Sequence, residues 1–125
     1  MSVPELPAEV RRFILTSVPS VPYLEAVLLL RAEPAKDWDA AELARRLYVR
    51  ERNGADLLEQ LRASGLAQAA GERAVRYAPT AELADLIDHV AHAYASNLVA
   101  VTDLIHSRID RRAQQFADAF RFRKD

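Results

Sequence analysis

Cysteine is absent from the 125 residues. That excludes disulfides, thiolate catalysis and cysteine-ligated zinc or iron–sulfur centres. Glycine occurs only at positions 54, 65 and 71, so the chain has no glycine-rich phosphate cradle, and it shows neither a Walker loop nor a Ser-x-x-Lys arrangement. Long apolar runs are also missing: LEAVLLL, Leu24 to Leu30, falls far short of the roughly 20 residues that span a bilayer. Met1 to Thr16 carries Glu5 and Glu9 and lacks the apolar run of a signal peptide, so a cytoplasmic protein with no membrane partner is expected. An excess of either charge is lacking too, with 17 basic and 18 acidic residues and a net charge of -1. Attraction to nucleic acid is therefore not a property of the whole chain and must come from a local patch. The scattered nucleophiles and bases form no catalytic constellation. A non-enzymatic protein without a cofactor is expected.

What is present suits one hydrophobic core. Half of the residues are apolar, and aromatic anchors recur at Phe13, Tyr23, Trp38, Tyr48, Tyr77, Tyr94 and Phe116, which argues for a single folded domain over residues 1–125. Residues 8–16 suit a short helix presenting Val10, Phe13 and Ile14. Val18-Pro19 and Val21-Pro22 interrupt it, because a residue before proline is pushed out of the helical region. A second helix over about 21–32 is apolar around most of its circumference and should be central in the core. Pro34 ends it.

The stretch from Ala40 to Tyr77 is the most informative. Asp39 can cap a helix that begins at Ala40, and Glu42 stands three residues on, a capping-box arrangement. Leu43, Ala44 and Leu47 form its inner face. After a turn at Tyr48-Val49, a second helix runs from about Glu51 to Ser64, with Leu57, Leu58 and Leu61 inward and Gly65 placed to close it with a positive φ. Residues 66–69 and 73–78 then read as a two-stranded hairpin around Gly71.

This order of helix, helix-turn-helix, two-stranded wing and long helix resembles the winged helix-turn-helix superfamily of bacterial transcriptional regulators, over roughly residues 20–80. Val49 stands at the aliphatic position of the turn, Leu58 and Leu61 at core positions, and Gly65-Leu66 at the junction of helix and wing. The resemblance implies that the second helix of the pair enters the DNA major groove while the wing touches the neighbouring backbone. It places Arg50, Arg52, Asn53, Gln60, Arg73 and Arg76 as candidate DNA contacts. The chain departs from the family pattern at several positions. Tyr48 stands where glycine is common and Arg50 where Ser or Thr usually caps the helix. Gly54 occupies an inward aliphatic position, where it should weaken the helix by about 1 kcal/mol. Ala55 and Asp56 fill positions where phosphate or base donors are usual. From Arg45 to Arg62 five arginines face Glu51, Asp56 and Glu59.

From Thr80, a plausible N-cap, one helix is expected to run to about Ser107. Residues 108–112 read as a polar break, and residues 113–122 as a short tail helix. The long helix carries a wide apolar seam. Ile87, Val90, Tyr94, Leu98, Val101, Ile105, Phe116 and Phe120 are the expected dimer interface. Asp85, Asp88, His89, His92, Asp103 and His106 share faces of this helix, but ordinary surface or interface roles account for them, and no metal site is assigned.

The fold expected is therefore mainly α with a small β-wing. It comprises a winged-helix core over residues 20–79, a long C-terminal helix over 80–107 serving dimerisation, and a tail helix over 113–122. The function read from it is a DNA-binding, non-enzymatic transcriptional regulator acting as a homodimer on double-stranded DNA. The alternative is a winged-helix protein-interaction module that binds a protein partner through the C-terminal helices and has little or no DNA binding.

Overall fold

Prolines, capping side chains and two positive-φ glycines divide the chain into six helices and three short strands among the described residues. The computed structural model describes residues 6–122, the side chains of 119–122 excepted. The helices are α1 (Ala8–Ser17), α2 (Val21–Ala32), α3 (Ala40–Leu47), α4 (Glu51–Ala63), α5 (Ala81–Ser96) and α6 (Leu98–Phe122). The strands are β1 (Trp38–Asp39), β2 (Ala67–Ala69) and β3 (Ala74–Tyr77). The protein is mainly helical, with a small antiparallel sheet and a long C-terminal helix. A helix-turn-helix followed by a wing forms its centre.

Two compact units can be distinguished, one of residues 22–91 and one formed by the two ends of the chain. In the first, Tyr23, Leu24, Val27 and Leu30 of α2 are buried, together with Leu43, Leu57, Leu58, Leu61 and Leu66. The Tyr23 hydroxyl lies 2.9 Å from the Ser64 hydroxyl and ties α2 to the end of α4. In the second, α1 packs on α6, and Val10, Phe13, Ile14, Val101 and Ile105 are buried.

The sheet has three strands rather than the two of a simple hairpin. Its order is β1-β3-β2, with Trp38 opposite Val75 and Asp39 opposite Ala74. Two residues are too few to show a period-two pattern, so β1 leaves no signal of its own in the sequence. Its Trp38 is fully buried. The ammonium of Lys36 lies 4.3 Å from the centre of the indole ring and the Arg46 guanidinium 5.4 Å from it, within the range of cation–π attraction.

Asp39 leads into α3, and its carboxylate accepts a 2.8 Å hydrogen bond from the Glu42 amide. Only this half of the capping box forms. The Glu42 carboxylate instead accepts from Arg45 at 2.7 Å and from Lys36 at 3.0 Å, because two cations outcompete one neutral amide. Thr80 caps α5 by accepting from the Leu83 amide at 3.2 Å.

The C-terminal helices differ from expectation in where they break. The interruption falls at Asn97, not at 108–112, so the long helix and tail helix are replaced by α5 and a 25-residue α6. Residues 108–112, RIDRR, contain neither proline nor glycine, and arginine is a good helix former; a polar run is not a helix stop. Near Asn97, by contrast, the Ser96 hydroxyl donates to the His92 carbonyl at 2.7 Å and the Thr102 hydroxyl to the Leu98 carbonyl at 3.0 Å. Side chains that compete for backbone groups weaken a helix there.

Candidate nucleic-acid interface

The centre of the helix-turn-helix is the contact between α3 and α4. Gly54 is buried at this contact. A Cβ at that position would stand 2.5 Å from the Ala40 carbonyl oxygen and 3.2 Å from the Ala44 Cβ. The glycine thus does not weaken the packing, as its propensity suggests. It permits α4 to approach the α3 backbone more closely than any side chain would allow.

With Gly54, Leu57, Leu58 and Leu61 inward, the helical period fixes what α4 shows to solvent. Arg52, Asp56, Glu59 and Ala63 form the outward line. Asn53 and Gln60, seven apart, lie on one flank, and Ala55 and Arg62 on the other. All eight are exposed. Arg62 grips Glu59 through two hydrogen bonds of 2.6 and 3.1 Å, and this pairing holds the Glu59 carboxyl below its usual range.

The wing lies along the second flank. An open groove of about 330 Å³ is bordered by Ala55, Glu59 and Arg62 of α4 and by Gly71, Glu72 and Arg73 of the hairpin. Gly71 has φ of 86°, and the Ala70 amide bonds to the Ala74 carbonyl at 2.8 Å, which closes the hairpin tip. Arg73 therefore shares a groove with α4. Arg76 does not. It lines the opposite side of the sheet with Asp37 and Gln68, and both its Nε and Nη2 reach one Asp37 oxygen at 2.7 Å.

The six candidate contacts thus separate. Arg50, Arg52 and Arg73 are exposed, and no ion pair engages them among the described residues. Asn53 and Gln60 are exposed beside them on α4. Arg76, like Arg45, Arg46 and Arg62, is held by a carboxylate. The N-terminus of α4 receives no side-chain cap, since Arg50 at the N-cap position offers only donors. The amides of the first turn are left for solvent or for an anion.

One residue of this surface escapes a motif-based reading. Tyr48 closes α3 with φ 58° and ψ 42° and is the only non-glycine residue with positive φ among those described. Its side chain is 95% exposed. A left-handed backbone costs an L-residue about 1–2 kcal/mol, and an exposed ring recovers none of it by burial. The signal in the sequence was the absence of glycine at the turn.

Of the eight residues expected at a dimer interface, Ile87, Val90, Val101 and Ile105 are fully buried within one chain, and Tyr94 is half-buried. Periodicity alone does not separate them from a partner-facing surface, because the face that covers a core and the face that meets a partner look alike in a sequence. Leu98 and Phe116 are 51% and 66% exposed, and Val99 and Ile109 add further exposed apolar surface on α6. Phe120 lies outside the described side chains. Asp88 bonds to Arg31 at 2.8 Å, and no group of three potential metal-ligating side chains gathers among the described residues. No single helix among them is long and apolar enough to cross a membrane.

No protein-family model matches the chain, and no curated protein does. The crystal structure of RV1404 from Mycobacterium tuberculosis is similar at 18% identity and a TM-score of 0.45, over 86% of this chain and 69% of that one. A likeness at that level carries no argument about function.

Proposed function

We propose that the protein is a non-enzymatic, DNA-binding regulator that reads duplex DNA with α4 and steadies it with the wing. The observation that supports this most is the placement of Arg50, Arg52 and Asn53 at the uncapped start of α4, exposed and with the two arginines free of ion pairs. Helix N-termini favour phosphate, and arginine and asparagine are the side chains best suited to base edges. Arg73 on the wing supplies a further cation beside the same helix. Gln60 extends the polar edge begun by Asn53.

The acids of α4 shape the outcome. Glu59 is neutralised by Arg62, whereas Asp56 on the outward line and Glu51, exposed in the first turn between Arg50 and Arg52, repel phosphate. Affinity should therefore be modest at physiological salt, with Asp56 limited to accepting from a cytosine amino group in the major groove. The same Asp56 favours the second reading, a protein partner carrying a basic segment.

Fluorescence anisotropy with a pool of duplex DNA fragments at low salt tests the proposal. Binding should fall steeply as salt rises, and Arg52→Glu should weaken it by on the order of a hundredfold, the equivalent of about 3 kcal/mol. Failure of the wild type to bind any duplex at low salt would rule out the regulator and leave the protein-interaction module.

A further inference from the structure

We infer that Asn53 is a site of spontaneous deamidation, gated by the opening of the first turn of α4. The chemistry is independent of the DNA-binding reading above; its effect on binding rests on that reading. Asparagine followed by glycine is the pair most prone to this reaction, because glycine has no side chain to hinder its own amide nitrogen. The chain has two asparagines, Asn53 before Gly54 and Asn97 before Leu98. The branched side chain of Leu98 shields the second.

In the reaction the Gly54 nitrogen attacks the side-chain carbonyl carbon of Asn53. The new C–N bond closes a cyclic imide, and the side-chain amide nitrogen leaves as ammonia, taking up the proton that Gly54 releases. Water then opens the imide at either carbonyl. One product is aspartate and the other isoaspartate, in which the main chain runs through the side chain and is longer by one methylene.

Packing keeps the reactive pair in place. A Cβ at position 54 would stand 2.5 Å from the Ala40 carbonyl oxygen, so the contact of α3 and α4 demands this glycine. Asn53 itself is exposed, and water reaches it. The restraint on the nucleophile is a single hydrogen bond, from the Gly54 amide to the Arg50 carbonyl at 3.0 Å. Arg50 is the N-cap residue, so this is the first backbone bond of the helix. No side chain caps that turn, and helix ends without a cap open most readily. Opening turns the Asn53–Gly54 peptide and lets its nitrogen reach the side-chain carbonyl; closing withdraws it.

The product falls at a position that matters. The Asn53 amide can both donate to and accept from a base edge. Aspartate only accepts, and it adds a negative charge three residues before Asp56. Isoaspartate also lengthens the main chain beside the contact of Gly54 with Ala40. DNA seated on α4 holds the turn closed, so bound copies are spared while free copies age.

The test holds the full chain in warm, mildly alkaline buffer and follows conversion by peptide mass mapping, with urea-unfolded chain as the unprotected reference. Asn53 should convert in the folded protein, more slowly than in urea, while Asn97 stays intact. Arg50→Ser and Arg50→Asp each supply the missing cap and should slow conversion about fivefold. An Asn53 that stays intact in the folded protein while converting in urea would overturn the site. Equal rates in wild type and both capped variants would overturn the gate. Asn53→Asp should bind duplex DNA about tenfold more weakly at low salt yet melt no lower, because an acid in the first turn favours the helix. Binding as tight as wild type would overturn the effect on DNA. A wild type that converts at Asn53 but binds no duplex would refute the regulator and leave the deamidation site standing.

Discussion

Gly54 of α4 rests against the carbonyl oxygen of Ala40 in α3, so close that a Cβ would stand 2.5 Å from it. The two helices meet where one has no side chain and the other presents its backbone. This contact sets how far α4 stands from the rest of the helix-turn-helix, and thus how far its outward line projects.

Replacing Gly54 reverses the usual rule for helix interiors. Gly→Ala ordinarily stabilises a helix by up to about 1 kcal/mol. Here the methyl meets a backbone oxygen that cannot rotate away, and overpacking of this kind costs about 1–3 kcal/mol. Urea unfolding of Gly54→Ala should show a lower midpoint with an unchanged slope. An increase in stability would show that α3 and α4 can separate freely.

Acid sensitivity should centre on Glu42. Hydrogen bonds from Arg45, then from Lys36, hold its carboxyl down at about 2, against an ordinary value of 4.5. Because the folded value lies below the unfolded one, the stabilisation is complete above about 4.5 and is lost as pH falls through about 2. Glu42→Gln removes this contribution. Melting temperatures taken from pH 5 down to pH 2 should fall more steeply in wild type than in the variant. Parallel curves would show that the three charges contribute nothing measurable, as many exposed pairs do.

The exposed part of α6 predicts self-association. Leu98, Ile109 and Phe116 are 51%, 43% and 66% exposed, and their spacings of eleven and seven place them near one face of the helix. Light scattering should give twice the 14.0 kDa of one chain, and Leu98→Glu combined with Ile109→Glu should return it to the monomer mass. A monomer at high concentration in the wild type would refute the pairing.

Much of the central fold was legible because its signals are local. Asp39, Thr80 and Gly65 mark helix ends by chemistry that needs no distant partner, and the leucines of α4 carry the helical period. The sequence misled where the deciding contact was remote. Gly54 reads as a weak helix residue until Ala40 is brought beside it. Arg76 reads as free until Asp37, thirty-nine positions away, takes it up. Ile87 and Ile105 read as a partner seam because a periodicity does not say what covers it. The candidate interface was legible only in part for the same reason: Arg50, Arg52 and Arg73 are defined by the acids they do not meet.

Trp38 gives the chain an optical consequence. It is the only tryptophan, it is fully buried, and its strand is zipped to the wing strand opposite Val75. Any event that peels β3 from β1 admits water to that single indole, while Lys36 beside it in sequence and Arg46 on α3 remain its neighbours. The emission spectrum of the unlabelled protein therefore reports on how the wing strand and α3 are seated around this one residue.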